Sequence, residues 1–357
     1  MPLNATTGIT VSRPTIFVGG QENSSLVGGL NYLLIVEKTD GLYRCEAKFG
    51  NWGSKDGTTD YLYFDRQTLD FGKDFQVKIA ADEIFKGKIT ALEANFPEAQ
   101  PPEITVLAED ALQNLRMTRR TRTFEDISDE DVFKKIAGEH GLTPSVAING
   151  GATHKVLAQI NQSDLAFLRE RARPIDAEIW LKDKELNVKT RARRSGETVK
   201  LKYKSELREF RVIADLANQR TSVTASGWDV SGKKTIKYEA TDAVIAGEPG
   251  SDTSGIGILK NAFGERRESI VHAVPLAAED AQNAAESFLK LSARQFVVGR
   301  GTAQPNAKLR VGASLELDGL GKLFGGKYYV AEVAHIFDNV KGFRTEFRAE
   351  RIGIGQV

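Results

Sequence analysis

Residues 85–93 read FKGKITALE, and residues 324–332 read FGGKYYVAE. Both fit the pattern F-x-G-K-x-x-x-x-E. Each is followed by a turn-rich stretch and a second strand-like segment ending in Ala-Glu, at Ala108-Glu109 and Ala349-Glu350. From the Phe to that Ala is 23 residues in the first copy and 25 in the second. Coincidence between two strand-rich segments is one reading. The other is a hairpin closing each of two similar β units within one chain, and that plan excludes most folds.

The surrounding sequence supports strands. Asp40-Gly41 is a hairpin signal, because the turn needs positive φ. After it Tyr43, Cys45, Ala47 and Phe49 alternate with Arg44, Glu46 and Lys48, the period of a half-buried strand. Cys45 falls on the apolar side and reads as a small core residue. Further strands are expected near 75–80, 86–94 and 103–108, so residues 1–108 form a first β block. Residues 109–187 change character and read as a small α+β unit. There 109–116 looks helical, and Ser128 caps a helix with the stripe Val132, Phe133, Ile136 and Ala137, which Gly141 ends. Ser163 caps another helix, ended by Pro174. Residues 188–357 return to strands, at about 188–193, 207–216, 221–227 and 233–240. A Gly- and Ser-rich stretch over 246–262 is expected to be a mobile loop. A helix over 276–292 carries the small-residue stripe Ala278, Ala281, Ala285, Phe288 and Leu289, suited to lying close against a sheet.

Most catalytic chemistry finds no support. Gly321–Lys327 matches the first part of a phosphate-binding loop. Tyr328 then stands where a Ser or Thr hydroxyl is needed, and a strand follows instead of a helix. The four histidines, His140, His154, His272 and His335, form no zinc motif. His335 reads as a hydrogen-bonded core residue. Asp126, Asp129, Glu130 and Asp131 cluster where a helix N-terminus favours negative charge. One cysteine excludes an intramolecular disulfide. Lys and Arg total 49 against 48 Asp and Glu, a balance unlike that of a dedicated nucleic-acid binder. Residues 182–204 are locally basic, with nine Lys or Arg against three acids. Lys189, Arg191 and Arg193 are expected to alternate along a strand, as a solvated face or as an electropositive ledge for an acidic partner or DNA. No apolar run approaches the ~20 residues that cross a bilayer, and the N-terminus lacks a signal peptide's pattern.

Four segments, in order, resemble phage tail hub proteins. RTFEDISDEDVFKKIAGEHGL (122–142) and LAQINQSDLAFLRERARPIDAEIWLKD (157–183) are similar to stretches of that family and of the hub half of the type VI secretion protein VgrG. LREFRVIADLANQRTSVTASGWDVSGKKTI (207–236) and residues 309–351 resemble the late-control protein D family of contractile phages. The latter carry a G-x-Y-x-V-x-x-V-x-H pattern at Gly326, Tyr328, Val330, Val333 and His335.

The resemblance implies a mainly β fold with an α+β insert: two tube-like β-barrels per chain, 1–108 and 188–357, around a small α+β domain, 109–187. It implies a helix beside each barrel, with 276–292 serving the second. It also implies a homotrimer whose six barrels make a pseudosixfold ring. Such a ring would join a hexameric inner tube or tube-initiator protein to a trimeric spike, among other baseplate proteins, with a bore for DNA or protein cargo. Six residues follow Arg351, so the spike is expected on a separate chain. The expected role is structural, without catalytic residues, cofactor or metal, in a virion baseplate or injection particle made in the bacterial cytoplasm. The rivals are a tail-associated peptidoglycan hydrolase, which needs a carboxylate pair in a cleft, and a DNA-contacting tail protein.

Overall fold

The computed structural model describes residues 13–148, 153–230, 232–250, 253–271 and 275–355. Twelve strands build the framework. In the first half they are β1 (Thr15–Val18), β2 (Leu30–Lys38), β3 (Arg44–Gly50), β4 (Asp74–Ile79), β5 (Asp82–Asn95) and β6 (Glu103–Glu109). In the second they are β7 (Thr198–Lys202), β8 (Leu207–Ala214), β9 (Val297–Ala303), β10 (Ser314–Asp318), β11 (Gly326–Asp338) and β12 (Gly342–Arg351). With the short strand Gln21–Glu22 they form one continuous 13-stranded sheet.

The spatial order is β2-β3-β6-β5-β4-β1 in the first half and β8-β9-β12-β11-β10-β7 in the second. Adding six to each label of the first order gives the second, so the duplication is one of topology. The correspondence reaches single residues. Ile89 pairs with Ala108 and Val330 with Ala349, and a bulge follows each, between Ile89 and Ala91 and between Val330 and Glu332. The Ile89 N–H donates to Lys73 O and its carbonyl accepts from Gly72 N–H; Val330 does the same with Ala313 and Gly312. One difference stands out. β1 lies antiparallel to β4, whereas β7 lies parallel to β10.

The units meet along a seam. The first part of β11 pairs with β10, and the remainder, from Glu332 to Asp338, pairs with β2 of the first unit. A single strand thus belongs to both. The two barrels expected from the sequence are not closed. Each set of six strands instead wraps one apolar core. Ile16, Ile35, Phe49, Phe75, Ile89 and Val106 come from six strands into the first, and Val199, Leu207, Val297, Leu315, Val330 and Phe347 into the second. In the short turn from β7 to β8, Tyr203 makes one isolated bridge to Leu207.

Three further layers attach to this sheet. The middle segment supplies α1 (Asp129–Glu139), capped by Ser128, and α2 (Asp164–Ala172), capped by Ser163. They pack with a two-stranded and a three-stranded sheet around Phe133, Ile136, Leu168 and Val188. A hairpin of Trp52–Lys55 and Thr58–Tyr61 extends from the first unit. Between β8 and β9 the strands Ser222–Asp229, Lys234–Ala240 and Arg267–Ile270 make a separate sheet.

Two expectations need correction there. The helix α4 (Ala278–Arg294) packs on that separate sheet, through Ala281, Ala285 and Leu289, and does not sit beside the second set of core-wrapping strands as their own helix. The stretch read as a mobile loop, 246–262, contains most of helix α3 (Gly255–Phe263), capped by Ser254. Residues 251 and 252 of it lie outside the described residues. Gly255 is there for close approach: a Cβ would fall 2.4 Å from the Phe296 ring.

A similar approach fixes the edge strand β8. Phe210 lies over Gly299 of β9, where a Cβ would come within 2.1 Å of its ring. Gly299→Ala is therefore expected to displace Phe210 and cost about 1–3 kcal/mol. Thermal unfolding of that variant beside wild type checks this; an unchanged midpoint would show that Phe210 shifts freely.

Candidate functional site

The groups singled out from the sequence disperse in the structure. The four carboxylates at α1 go four ways. Asp126 pairs with exposed Lys155, Glu130 with Lys134, and Asp131 accepts from the Ser128 hydroxyl. Asp129 is buried between Arg171, at 2.6 Å, and His154, at 3.2 Å. Burial opposes its charge, but the bonds from His154 and Arg171 outweigh that and hold its carboxyl below the ordinary range. No two of these carboxylates face each other across a cleft, so the arrangement a hydrolase needs is missing from this cluster.

His140 lies 2.8 Å from Asp164, a buried carboxylate that also accepts from Arg122 and Gln159. His335 is fully buried and meets the Thr345 hydroxyl at 3.1 Å through Nδ1, while Nε2 has no partner. Burial, helped by Arg310, holds its pKa down to about 3. His272 lies outside the described residues. Gly321–Phe324 is one helical turn leading into β11. Its carbonyls are turned to a cation: Arg351 donates to Leu323 O at 2.6 Å and to Gly325 O at 2.9 Å. A phosphate cradle needs converging N–H groups, the opposite polarity. Among the described residues no cluster of three or more His, Cys, Asp or Glu is placed to hold a metal.

The basic stretch is taken apart. The strand ends at Thr190, and Arg191–Arg193 form a 3-10 turn, so the expected alternation does not occur. Lys189 lies over the Trp180 ring and Lys200 pairs with Glu316. Arg191 and Arg194 turn inward, their side chains 9% and 5% exposed. They are held by Glu178, which accepts from Arg194 Nη1 at 2.9 Å, from Arg191 Nε at 3.3 Å and from the Tyr329 hydroxyl. Arg191 also reaches Glu350 at 2.9 Å, and Arg194 reaches Val311 O at 2.7 Å and the Tyr43 hydroxyl at 3.2 Å. Tyr43 belongs to the first unit, Tyr329 and Glu350 to the second, and Glu178 to the middle layer. One buried ion cluster therefore clamps all three. Desolvation pushes the Tyr329 hydroxyl far above its ordinary pKa, so it stays a donor.

What remains as a candidate site is surface. The face of the large sheet turned away from the two cores carries Arg211, Arg300, Arg348, Glu332 and Lys38 in one cross-strand row. The next row holds Glu209, Thr302, Glu346, Ala334, Val36, Arg44, Glu109 and Lys88. Both signs are present: the first row has four cations to one acid, with three arginines side by side, and the second has three acids to two cations. A depression of about 300 Å³ between Arg211, Arg300, Glu332 and Arg348 marks its second half. The other notable surface is backbone. Among the described residues, β8 beyond Leu207 pairs only with β9, and the part of β5 beyond its bulge pairs only with β6. Neither free edge was foreseen, because an edge is a property of the whole sheet.

Solved structures share this fold. The 43 kDa tail protein of prophage MuSo2 from Shewanella oneidensis matches at a TM-score of 0.68 and 13% identity, over 94% of this chain and 97% of that one. A tail protein from Neisseria meningitidis matches at 0.67 and 14%, over 95% and 96%. An Escherichia coli component of the type VI secretion system matches at 0.53 and 10%, over 92% and 76%. No curated protein matches the sequence. No helix among the described residues is long and apolar enough to cross a membrane. The family model described as Alg8 N-terminal domain matches residues 62–339, from before β4 of the first unit to the end of β11 in the second, and the chain belongs to that family.

Proposed function

We propose that the chain is a structural hub of a contractile phage tail or related injection particle, of the late-control protein D type. Three copies form a ring of six similar units. One side of the ring takes a hexameric tube and the other a trimeric spike. The observation behind this reading is the duplicated strand order, with its repeated bulge, in two units already joined edge to edge. Such a chain can imitate sixfold symmetry with three copies, while its middle layer and the sheet between β8 and β9 occur once per copy and keep the threefold. The likeness of fold to tail proteins agrees with this role.

In this reading the mixed-charge sheet face lines the bore. The role requires no catalytic step, cofactor or metal. The particle's baseplate is the place of action.

Light scattering of the purified full chain, alone and with tube and spike proteins, tests the proposal. Trimers that bind both are expected. A stable monomer that binds neither overturns it.

A further inference from the structure

Besides the direction of their last strands, the two units differ in how their edges are paired. Beyond its bulge, β11 is flanked on both sides, by β12 and by β2. The matching stretch of β5, Ala91–Asn95, has β6 on one side and, among the described residues, no strand on the other. The counterpart of β2 is β8, which likewise has one free side. The chain therefore contains one complete seam and both halves of a second.

The registers of the first seam dictate those of the second. Ile89 corresponds to Val330, and Ala108 to Ala349, by their identical pairing. Cys45 lies opposite Ala108 and Gly299 opposite Ala349, so Cys45 corresponds to Gly299. Ile35 lies opposite Cys45 and Val212 opposite Gly299, so Ile35 corresponds to Val212. Within the seam, Ile35 faces His335, and Leu33 faces Phe337. His335 corresponds to Ala94 and Phe337 to Phe96.

From this we infer that β8 of one copy pairs antiparallel with Ala91–Asn95 of a second copy, with Val212 opposite Ala94. Phe210 then lies opposite Phe96, as Leu33 does opposite Phe337. Ile213 faces Glu93 and Arg211 faces Asn95 on the other side of the sheet. The inference rests on the hub reading and gives it a residue-level joint.

The chemistry of the two edges fits. Phe96 is 61% exposed and Ile213 58% exposed, far more than their counterparts in the formed seam. Phe96 already packs with Tyr61 and Phe64, which leaves an aromatic platform for Phe210. Unpaired edges with apolar side chains recruit another strand. β8 ends the sheet on one side and β5 lies toward the other, so the contact is head-to-tail. Each copy gives one edge and receives one, and growth stops only when a ring closes.

The test uses the full-length chain carrying Val212→Cys and Ala94→Cys. Directly opposed residues have Cβ atoms about 4.5–5.5 Å apart, within reach of disulfide formation after small adjustment. Cys45 is fully buried and stays out of the reaction. Mild oxidation is expected to convert most of the protein into covalent oligomers up to the trimer. Ile213→Cys with Ala94→Cys, whose side chains point to opposite faces, is expected to give at least tenfold less. A non-covalent trimer without the 212–94 link overturns this joint and leaves the hub reading standing. A monomer by light scattering overturns both.

Discussion

Replacing Glu178 by alanine is expected to destabilise the protein by about 3–5 kcal/mol, because it strips the shared acceptor from two buried arginines. Arg191 keeps Glu350, and Arg194 keeps Val311 O and the Tyr43 hydroxyl. Neither retains enough compensation for a guanidinium taken out of water, and the Tyr329 hydroxyl loses its only acceptor. The comparison is Glu316→Ala. That change removes the pair with Lys200, whose side chain is 75% exposed, and is expected to cost under about 1 kcal/mol. Urea denaturation of the three proteins measures both. Because Glu178 joins three layers, its loss is also expected to split one transition into two, with the middle layer melting first. Equal midpoints for Glu178→Ala and Glu316→Ala would mean that the cluster does not clamp the layers.

The second large effect is a hidden opposition in pH dependence. His335 has a native pKa near 3 against about 6.5 unfolded. Between those values the unfolded chain holds a proton that the native chain refuses. Its contribution is therefore present above pH 6.5 and is lost as pH falls, by about 4 kcal/mol between pH 7 and 3.5. Asp110 acts in the opposite sense. Burial raises its pKa to about 6, although the N–H groups of Tyr43 and Leu112 both donate to it. The native chain takes that proton first, so stability rises by about 2 kcal/mol as pH falls from 7 to 4. Wild type should thus vary little between pH 7 and 5. His335→Gln should gain about 1 kcal/mol over that interval, and Asp110→Asn should lose about 2 kcal/mol. Parallel urea midpoints for all three proteins across the interval would dispose of this account.

Local signals were readable wherever the chain's chemistry is local. The caps at Ser128 and Ser163, the turn at Asp40-Gly41 and the buried side of Cys45 all follow from neighbours within four residues. The duplication was readable too, but its alignment was off by two. The shared F-x-G-K pattern matches Phe85 to Phe324, whereas the hydrogen bonds match Ile89 to Val330. A slip of two residues keeps every side chain on its face, so alternation cannot detect it. The bulge and the register had to come from the partner strands.

Other misreadings share one physical cause: a residue type judged without its distant partners. Glycines around 255 looked like slack, but one of them makes room for Phe296. Arg191 looked like solvent-facing charge, because Glu350, one of its two acidic partners, lies 159 residues away. The extra sheet under α4 was merged with the second β unit, since its strands have the same composition as the others. The free edges of β8 and β5 were invisible for the same reason.

β11 serves two units at once, and this governs how the molecule responds to load. Bending one half against the other would have to shear the backbone bonds that run from Glu332–Lys38 to Asp338–Tyr32, all in one cooperative row. The chain between β6 and β7 folds as the middle layer, which Glu178 ties to Arg194 and Tyr329. A push received at one end is delivered to the other with little loss, and compliance is left to the layers hung on the outside. The two units are therefore built to move as one body instead of a jointed pair.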